Sequence, residues 1–376
     1  MSNAYLELAV SGVRGLKPYQ PGKPISELER EYGVSDIVKL ASNENPLGPG
    51  AAVSEAIAGS VADIARYPDG SAFELKQAIA RRHGVTPDCL TLGNGSNDVL
   101  VLLAEAFLKP GLEAVYAQYA FAVYAIAVQA VGATARVIPA LGWEQGQPLG
   151  HDLEGMARAV DEHTRLVFIA NPNNPTGTWV GDDALRRFLD SMPRETLVVV
   201  DEAYADYVED AAYPDCTAWV DTYPNLVVTR TFSKAFGLAG LRLGYAVSNP
   251  QIADILNRVR QPFNVNSVVQ AAGLAALADQ EYLARSVQTN NRERDRMAAA
   301  FDRLGLRQIP SVGNFILVDF GRPAAPVYEA LLRRAVIVRP VGNYGLPDCL
   351  RISIGTPDEN TRLIAALSAV LEDGPG

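Results

Sequence analysis

The sequence predicts an α/β protein, with a large domain built on a mostly parallel central sheet flanked by helices and a smaller α+β domain at the C-terminal side. Three observations carry this. Short, fully apolar runs such as Leu197-Val198-Val199-Val200 suit strands buried on both faces. They alternate with longer stretches of helical periodicity, the pattern of a sheet with crossover helices. The 376 residues also exceed one ordinary core, because domains average roughly 100–200 residues.

Taken in order, residues 1–36 carry Gly12, Gly15, Pro18, Pro21, Gly22 and Pro24. They read as an irregular N-terminal arm that lies on another surface, such as a second subunit. Residues 37–275 hold the alternation. Strands are expected at 90–92, 114–116, 135–138, 166–170, 197–200, 226–229 and 243–247, and helices at 72–82, 97–108, 119–130, 153–160, 182–190 and 252–260. Past Gln280 the pattern changes to a long charged helix at 282–304. Strands at 315–319, 336–339 and 349–354 and helices at 325–334 and 357–371 follow, giving a small domain over 276–376. No internal repeat or low-complexity segment interrupts this order.

Composition removes several function classes. The chain is 48% hydrophobic and 20% charged, a globular balance rather than a disordered one. Its net charge of −10 disfavours a nucleic-acid or anionic-membrane surface. The three cysteines, Cys89, Cys216 and Cys349, lie far apart and form no C-x-x-C pair, as expected in a reducing compartment. None of the three histidines has metal-ligand spacing to a cysteine or another histidine, so no metal site is expected. No signal-like opening and no apolar run of about 18 residues occur, so a soluble, cytoplasmic protein with no membrane partner is expected.

Chemistry concentrates where strands end, and in open α/β sheets ligands bind beyond the carboxyl ends of strands. The turn Gly93-Asn94-Gly95-Ser96 leads into a helix. It suits an anion approached by backbone N–H groups, or simply a tight turn with Ser96 as a cap. Asn171-Pro172-Asn173-Asn174-Pro175-Thr176-Gly177 makes a rigid turn that can aim an Asn amide. Asp201 leaves the end of a buried strand and needs a cation. A protonated pyridine nitrogen or a buried arginine would serve, and Tyr204 is three residues on. Thr231, Ser233 and Arg242 offer a phosphate cup around Lys234, whose apolar neighbours would lower its pKa and make its amine a nucleophile.

Asn-Pro-x-Asn-Pro-Thr-Gly, then Asp-Glu-Ala-Tyr, then Thr-x-Ser-Lys with an arginine eight residues beyond the lysine, in this order, resembles the fold-type I pyridoxal-phosphate aminotransferases. The resemblance spans nearly the whole chain and implies pyridoxal 5′-phosphate as cofactor. It implies that Lys234 carries the cofactor and moves the proton, and that Asp201 keeps the pyridine nitrogen protonated. Asn174 and Tyr204 would then bond the ring oxygen, with Gly95, Ser96, Thr231, Ser233 and Arg242 on the phosphate. An aromatic of Tyr119-Ala120-Phe121 would stack on the ring, and the family's spacing favours Phe121. Tyr67, in Arg66-Tyr67-Pro68-Asp69-Gly70, resembles the tyrosine that reaches the neighbouring subunit's cofactor phosphate, implying a homodimer with shared active sites.

Within that family, Val13-Arg14-Gly15-Leu16-Lys17-Pro18-Tyr19 and Lys39-Leu40-Ala41-Ser42-Asn43-Glu44-Asn45-Pro46-Leu47-Gly48-Pro49 resemble the histidinol-phosphate branch. The resemblance implies transamination of histidinol phosphate with 2-oxoglutarate. Arg351, Arg339, Tyr19 and Asn45 would form the substrate site, with both arginines on the substrate phosphate. An aromatic or broad-specificity amino-acid aminotransferase is the alternative, because one arginine suffices for a carboxylate. An amino-acid-phosphate decarboxylase and an inert scaffold are more distant alternatives. The branch commonly has Gly-Ser-Asp-Glu where this chain has Gly95-Ser96-Asn97-Asp98. That change leaves the backbone amides in place and puts the side-chain role of Asn97 in question.

Overall fold

The structure, a computed structural model, describes residues 4–373. Its strands in chain order are β1 (Val38–Lys39), β2 (Leu90–Asn94), β3 (Glu113–Ala117), β4 (Thr134–Ile138), β5 (Thr164–Ala170), β6 (Leu197–Asp201), β7 (Leu226–Thr231), β8 (Leu243–Ser248), β9 (Arg307–Gln308), β10 (Phe315–Asp319), β11 (Val336–Ile337), β12 (Arg339–Pro340) and β13 (Cys349–Ser353).

Seven of them form the central sheet in the order β2-β8-β7-β6-β5-β3-β4. Neighbours from β7 across to β4 are parallel, and β8 alone runs antiparallel to both of its neighbours. The apolar runs that announce β5, β6 and β7 are buried along almost their whole length, as a sheet covered on both faces requires. Two apolar clusters pack on its two faces, one holding Val167, Ile169, Val198 and Val200, the other Leu166, Phe168, Val199 and Val227. The period-2 split of β5 and β6 between these clusters is the pleat made visible.

The small lobe is a four-stranded sheet, β12-β13-β10-β9, backed by helices Ala325–Leu332 and Pro357–Asp373. The 24-residue helix Gln280–Arg303 links the two lobes.

The structure differs from the sequence expectation at several places. The arm is not wholly irregular, because Ile25–Tyr32 is a helix whose Leu28 packs with Leu332 and Ile337. β1 pairs in parallel with β11, and Val38 and Leu40 join the small-lobe cluster, so the segment expected to open the large domain lies on the small one. The expected strand 336–339 is two strands, β11 and β12, in different sheets. The helix expected from residue 119 starts at Ala122, with Phe121 as its N-cap. Outside the arm, the helices Ala51–Ser60 and Ser267–Ala278 went unanticipated, and the second spans the expected domain boundary near 275.

Candidate active site

The carboxyl ends of β5, β6 and β7 open into a cavity of about 270 Å³ between the lobes. The register explains which side chains reach it. Asp201 lies opposite Thr229 across the β6–β7 pair. The next residues, Glu202 and Arg230, point to the other face of the sheet, as the two-residue period demands. There Arg230 closes on Glu202 at 2.6 Å. The buried arginine left open as a partner for Asp201 therefore belongs to its neighbour.

Asp201 is 5% exposed; its side-chain partners are two hydroxyls, and the Ala203 backbone also hydrogen-bonds its carboxylate. Tyr124 donates to Oδ2 at 2.8 Å and Thr229 to Oδ1 at 2.9 Å. No cation forms an ion pair with it among the described residues, and burial pushes its carboxyl above the ordinary aspartate range. Neither Tyr124 nor Thr229 was anticipated. Tyr124 stands one helical turn after Phe121, and that spacing was the available signal.

Lys234 follows the end of β7. Its Nζ donates to the carbonyls of Asn43 at 3.1 Å and Ser42 at 3.4 Å. Burial, then the Arg351 charge, brings its pKa down to about 7. A lysine near neutrality holds a substantial fraction of free amine, which a nucleophile needs. Burial likewise pushes the Tyr204 hydroxyl up to about 12. That hydroxyl accepts from Asn43 Nδ2 at 3.0 Å.

The phosphate cup assembles from three chain segments. Gly95, at φ 82°, sits against the Arg242 guanidinium, where a Cβ would strike it. Gly244 lies opposite Gly93 in the β2–β8 ladder, and a Cβ there would strike the Ser96 amide. Glycine at these positions keeps the amide and the guanidinium close together at the start of helix Ser96–Phe107, an anion-favouring geometry. Ser233 accepts from Arg242 Nη1 at 3.3 Å, and its own amide donates to Thr231 Oγ1 at 3.1 Å. Asn97 also lines the cavity. Asp98 does not; its carboxylate accepts from the Asn94 amide and from Asn264, bracing the turn.

On the small-lobe side, Arg339 and Arg351 stand directly opposite each other in the β12–β13 pair, and both are 7% exposed. Neither has a carboxylate within ion-pair distance among the described residues. Arg351 donates to Asn174 Oδ1 at 2.6 Å and to the Ala41 carbonyl at 2.7 Å, and its buried Nε has no partner. Arg339 donates to the Gln20 carbonyl at 2.7 Å and lies 6.0 Å from the Tyr19 ring centre.

Most of the expected residues therefore meet: Tyr19, Ser96, Phe121, Asn174, Asp201, Tyr204, Thr231, Ser233, Lys234, Arg242, Arg339 and Arg351 line one cavity. Phe121, not Tyr119, faces it; the Tyr119 ring packs beside the cluster of Leu317 and Leu346. One expectation is not met within this chain. Asn45 points away, its amide donating to the Ala235 carbonyl and to Ser286, and Asn43 takes the place in the cavity. Tyr67, assigned by the resemblance to the neighbouring subunit's cofactor, is 83% exposed and stacks on Phe263 at 4.8 Å, outside this chain's own cavity.

The family described as class I and II aminotransferases matches residues 35–367. The chain belongs to that family. It is 57% identical over 373 residues to histidinol-phosphate aminotransferase 2 of Pseudomonas fluorescens, covering 99% of each chain. It is 56% identical over 369 residues to histidinol-phosphate aminotransferase 2 of Pseudomonas aeruginosa, covering 98% of each. Among solved structures it is similar to histidinol-phosphate aminotransferase from Sinorhizobium meliloti in complex with pyridoxal-5′-phosphate. That match has a TM-score of 0.88 and 31% identity, over 96% of this chain and 97% of that one.

The aminotransferase's cavity fits a phosphorylated pyridine aldehyde at each end. Asp201 is a buried carboxylate with no ion-paired cation among the described residues, suited to a pyridinium nitrogen. Lys234 is an amine of lowered pKa, suited to an aldehyde. The glycine cradle with Arg242 suits a phosphate.

Proposed function

We propose that this aminotransferase uses pyridoxal 5′-phosphate to convert L-histidinol phosphate and 2-oxoglutarate into imidazole-acetol phosphate and L-glutamate, a step of histidine biosynthesis. The observation that carries the substrate is the arginine pair. Like charges directly opposite on adjacent strands repel, and buried cations without counter-ions are costly. Arg339 and Arg351 are both, and they face the same cavity as Lys234. A dianionic phosphate satisfies two guanidiniums where a carboxylate needs one, and the planar fork of arginine suits its oxygens.

When bound, the cofactor supplies an electron sink for the bond broken at the substrate's amine-bearing carbon. The protein does the rest. Asp201 holds the proton on the pyridine nitrogen, and Tyr124 and Thr229 hold Asp201. Asn174, whose Oδ1 is occupied by Arg351, keeps its amide nitrogen for the ring oxygen, and Tyr204 adds a hydroxyl there. Phe121 covers the ring. Lys234 Nζ takes the proton from the substrate carbon and returns it. Tyr19, brought over the cavity by the arm beside Arg339, adds a hydroxyl to the substrate phosphate.

The aminotransferase acts as a cytoplasmic homodimer in this proposal. The exposed Tyr67 and Phe263, with Val61 and Ile64 nearby, form the apolar face a second copy would cover, and Tyr67 would serve the partner's cofactor phosphate. The arm (1–36), cofactor domain (37–275) and small domain (276–376) remain the working division, with residues 38–40 packed on the small domain.

The test is half-reaction spectroscopy on the cofactor-loaded protein, with histidinol phosphate and phenylalanine supplied separately. Conversion by histidinol phosphate at much lower concentration is the expected result. Preference for phenylalanine would move the function to aromatic amino-acid transamination.

A further inference from the structure

Residues 41–43 thread the cleft between the lobes, and side chains of the site take each of their carbonyls. Ala41 receives Arg351 Nη2 at 2.7 Å, and Ser42 receives Lys234 Nζ at 3.4 Å. The Asn43 carbonyl receives both Lys234 Nζ at 3.1 Å and Asn314 Nδ2 at 3.0 Å. Asn43 itself is 1% exposed and sits at φ 54°, a left-handed conformation that asparagine tolerates better than most residues.

Its side chain has a fixed sense of hydrogen bonding. The Asn43 amide N–H donates to Ser353 Oγ at 2.8 Å. That hydroxyl sends its own single hydrogen to Asn43 Oδ1, at 2.9 Å. With its oxygen taken, the side-chain amide turns Nδ2 toward Tyr204, donating to the hydroxyl at 3.0 Å. A phenol that accepts there must send its hydrogen elsewhere, and no described residue receives it. Tyr204 lines the cavity, so the open direction is the ligand's.

We propose that Asn43 is a positioning residue that orders this chain of hydrogen bonds, fixing the Tyr204 hydroxyl as a donor toward the ring oxygen of the bound cofactor. The proposal rests on the pyridoxal-phosphate reading above and extends it. Ser353 and Arg351 are two residues apart on β13 and share a face, so one strand holds both the substrate's anion and the start of the relay. Asn43 thereby couples the small lobe to the hydroxyl that works on the large one. A purely structural role, filling a left-handed turn, would leave Tyr204 unaffected.

The test is a double-mutant cycle on the loaded enzyme, read from the visible band of the bound cofactor titrated against pH. A hydrogen donated by Tyr204 to the ring oxygen competes with the proton shared between that oxygen and the neighbouring nitrogen. Losing its direction should raise the titration midpoint. Asn43→Gly keeps the left-handed backbone and removes the amide; Tyr204→Phe removes the hydroxyl. Each should raise the midpoint by about one pH unit, and the double variant should move no further than the larger single change.

Equal shifts from Asn43→Gly in both backgrounds, or none with Tyr204 present, would overturn the role of Asn43 alone. If Asn43→Gly does not fold, Asn43→Asp keeps the shape and removes the donor. Part of its shift must then disappear in the Tyr204→Phe background, and a shift of full size there overturns the proposal. A wild-type protein that develops no visible band with pyridoxal phosphate overturns the functional reading and this proposal together.

Discussion

Asp201 and Glu202 are adjacent carboxylates at the end of one strand, and they live in opposite electrostatic worlds. Behind the sheet, Glu202 is fully buried against Arg230, with the Cys216 amide and Asp215 close by. The chain supplies the counter-charge there, and the pair is structural. In front of the sheet, Asp201 is nearly as buried, yet among the described residues it has two hydroxyls and a backbone amide as partners and no ion-paired cation. A buried carboxylate that lacks its own cation is complete only when a cationic ligand arrives. The lesson is that burial alone does not separate a structural charge from a functional one; the source of the counter-charge does.

The largest effect expected is on the front face. Lys234→Ala should slow the half-reaction by roughly 10⁴-fold, because it removes the nucleophile and the proton carrier together; rapid-mixing absorbance would show it. Next comes the adjacent pair. Asp201→Asn should cut the half-reaction rate by about 10²-fold or more with the melting temperature unchanged. Glu202→Gln strands Arg230 and should cost about 3 kcal/mol of stability, with the chemistry of the folded fraction largely intact. Thermal melts alongside single-turnover rates separate the two.

A smaller effect is expected across the cleft. Arg339→Ala should lower kcat/KM for histidinol phosphate by about 100-fold and for phenylalanine by less than about threefold. Equal losses would break the assignment of that arginine to the phosphate. The smallest is a pH effect. Burial lowers the Lys234 pKa from 10.5 to about 7, so the neutral amine predominates above that value. The rate at which cofactor-free protein captures pyridoxal phosphate should rise through about pH 7 and level off. A rise continuing to pH 10 would mean that the amine is not buried as described.

The central strands β5, β6 and β7 were legible because burial on both faces writes itself as apolar runs, whereas the edge strand β4 is largely exposed and shows only a short one. Helix Ser267–Ala278 was not, because its alanine-rich text carries little polar contrast for a period to show. The cavity's core was legible from the residues at strand ends, together with the family resemblance. Asp201's partner was not, because the sequence offers Arg230 nearby and only the pleat decides that it faces Glu202. Asn43 and Asn45 illustrate the same limit. Both lie in one polar segment, and a left-handed φ at Asn43 decides which one meets Tyr204. Tyr67's assignment to the neighbouring subunit came from the resemblance, and in this chain it lies exposed outside the cavity.

The most direct test of the central claim measures Asp201→Asn and Glu202→Gln side by side, each for melting temperature and for half-reaction rate with histidinol phosphate. The account predicts a crossing: Asp201→Asn loses rate and keeps stability, while Glu202→Gln loses stability and keeps rate. Two variants that lose rate and stability in the same proportion would contradict it.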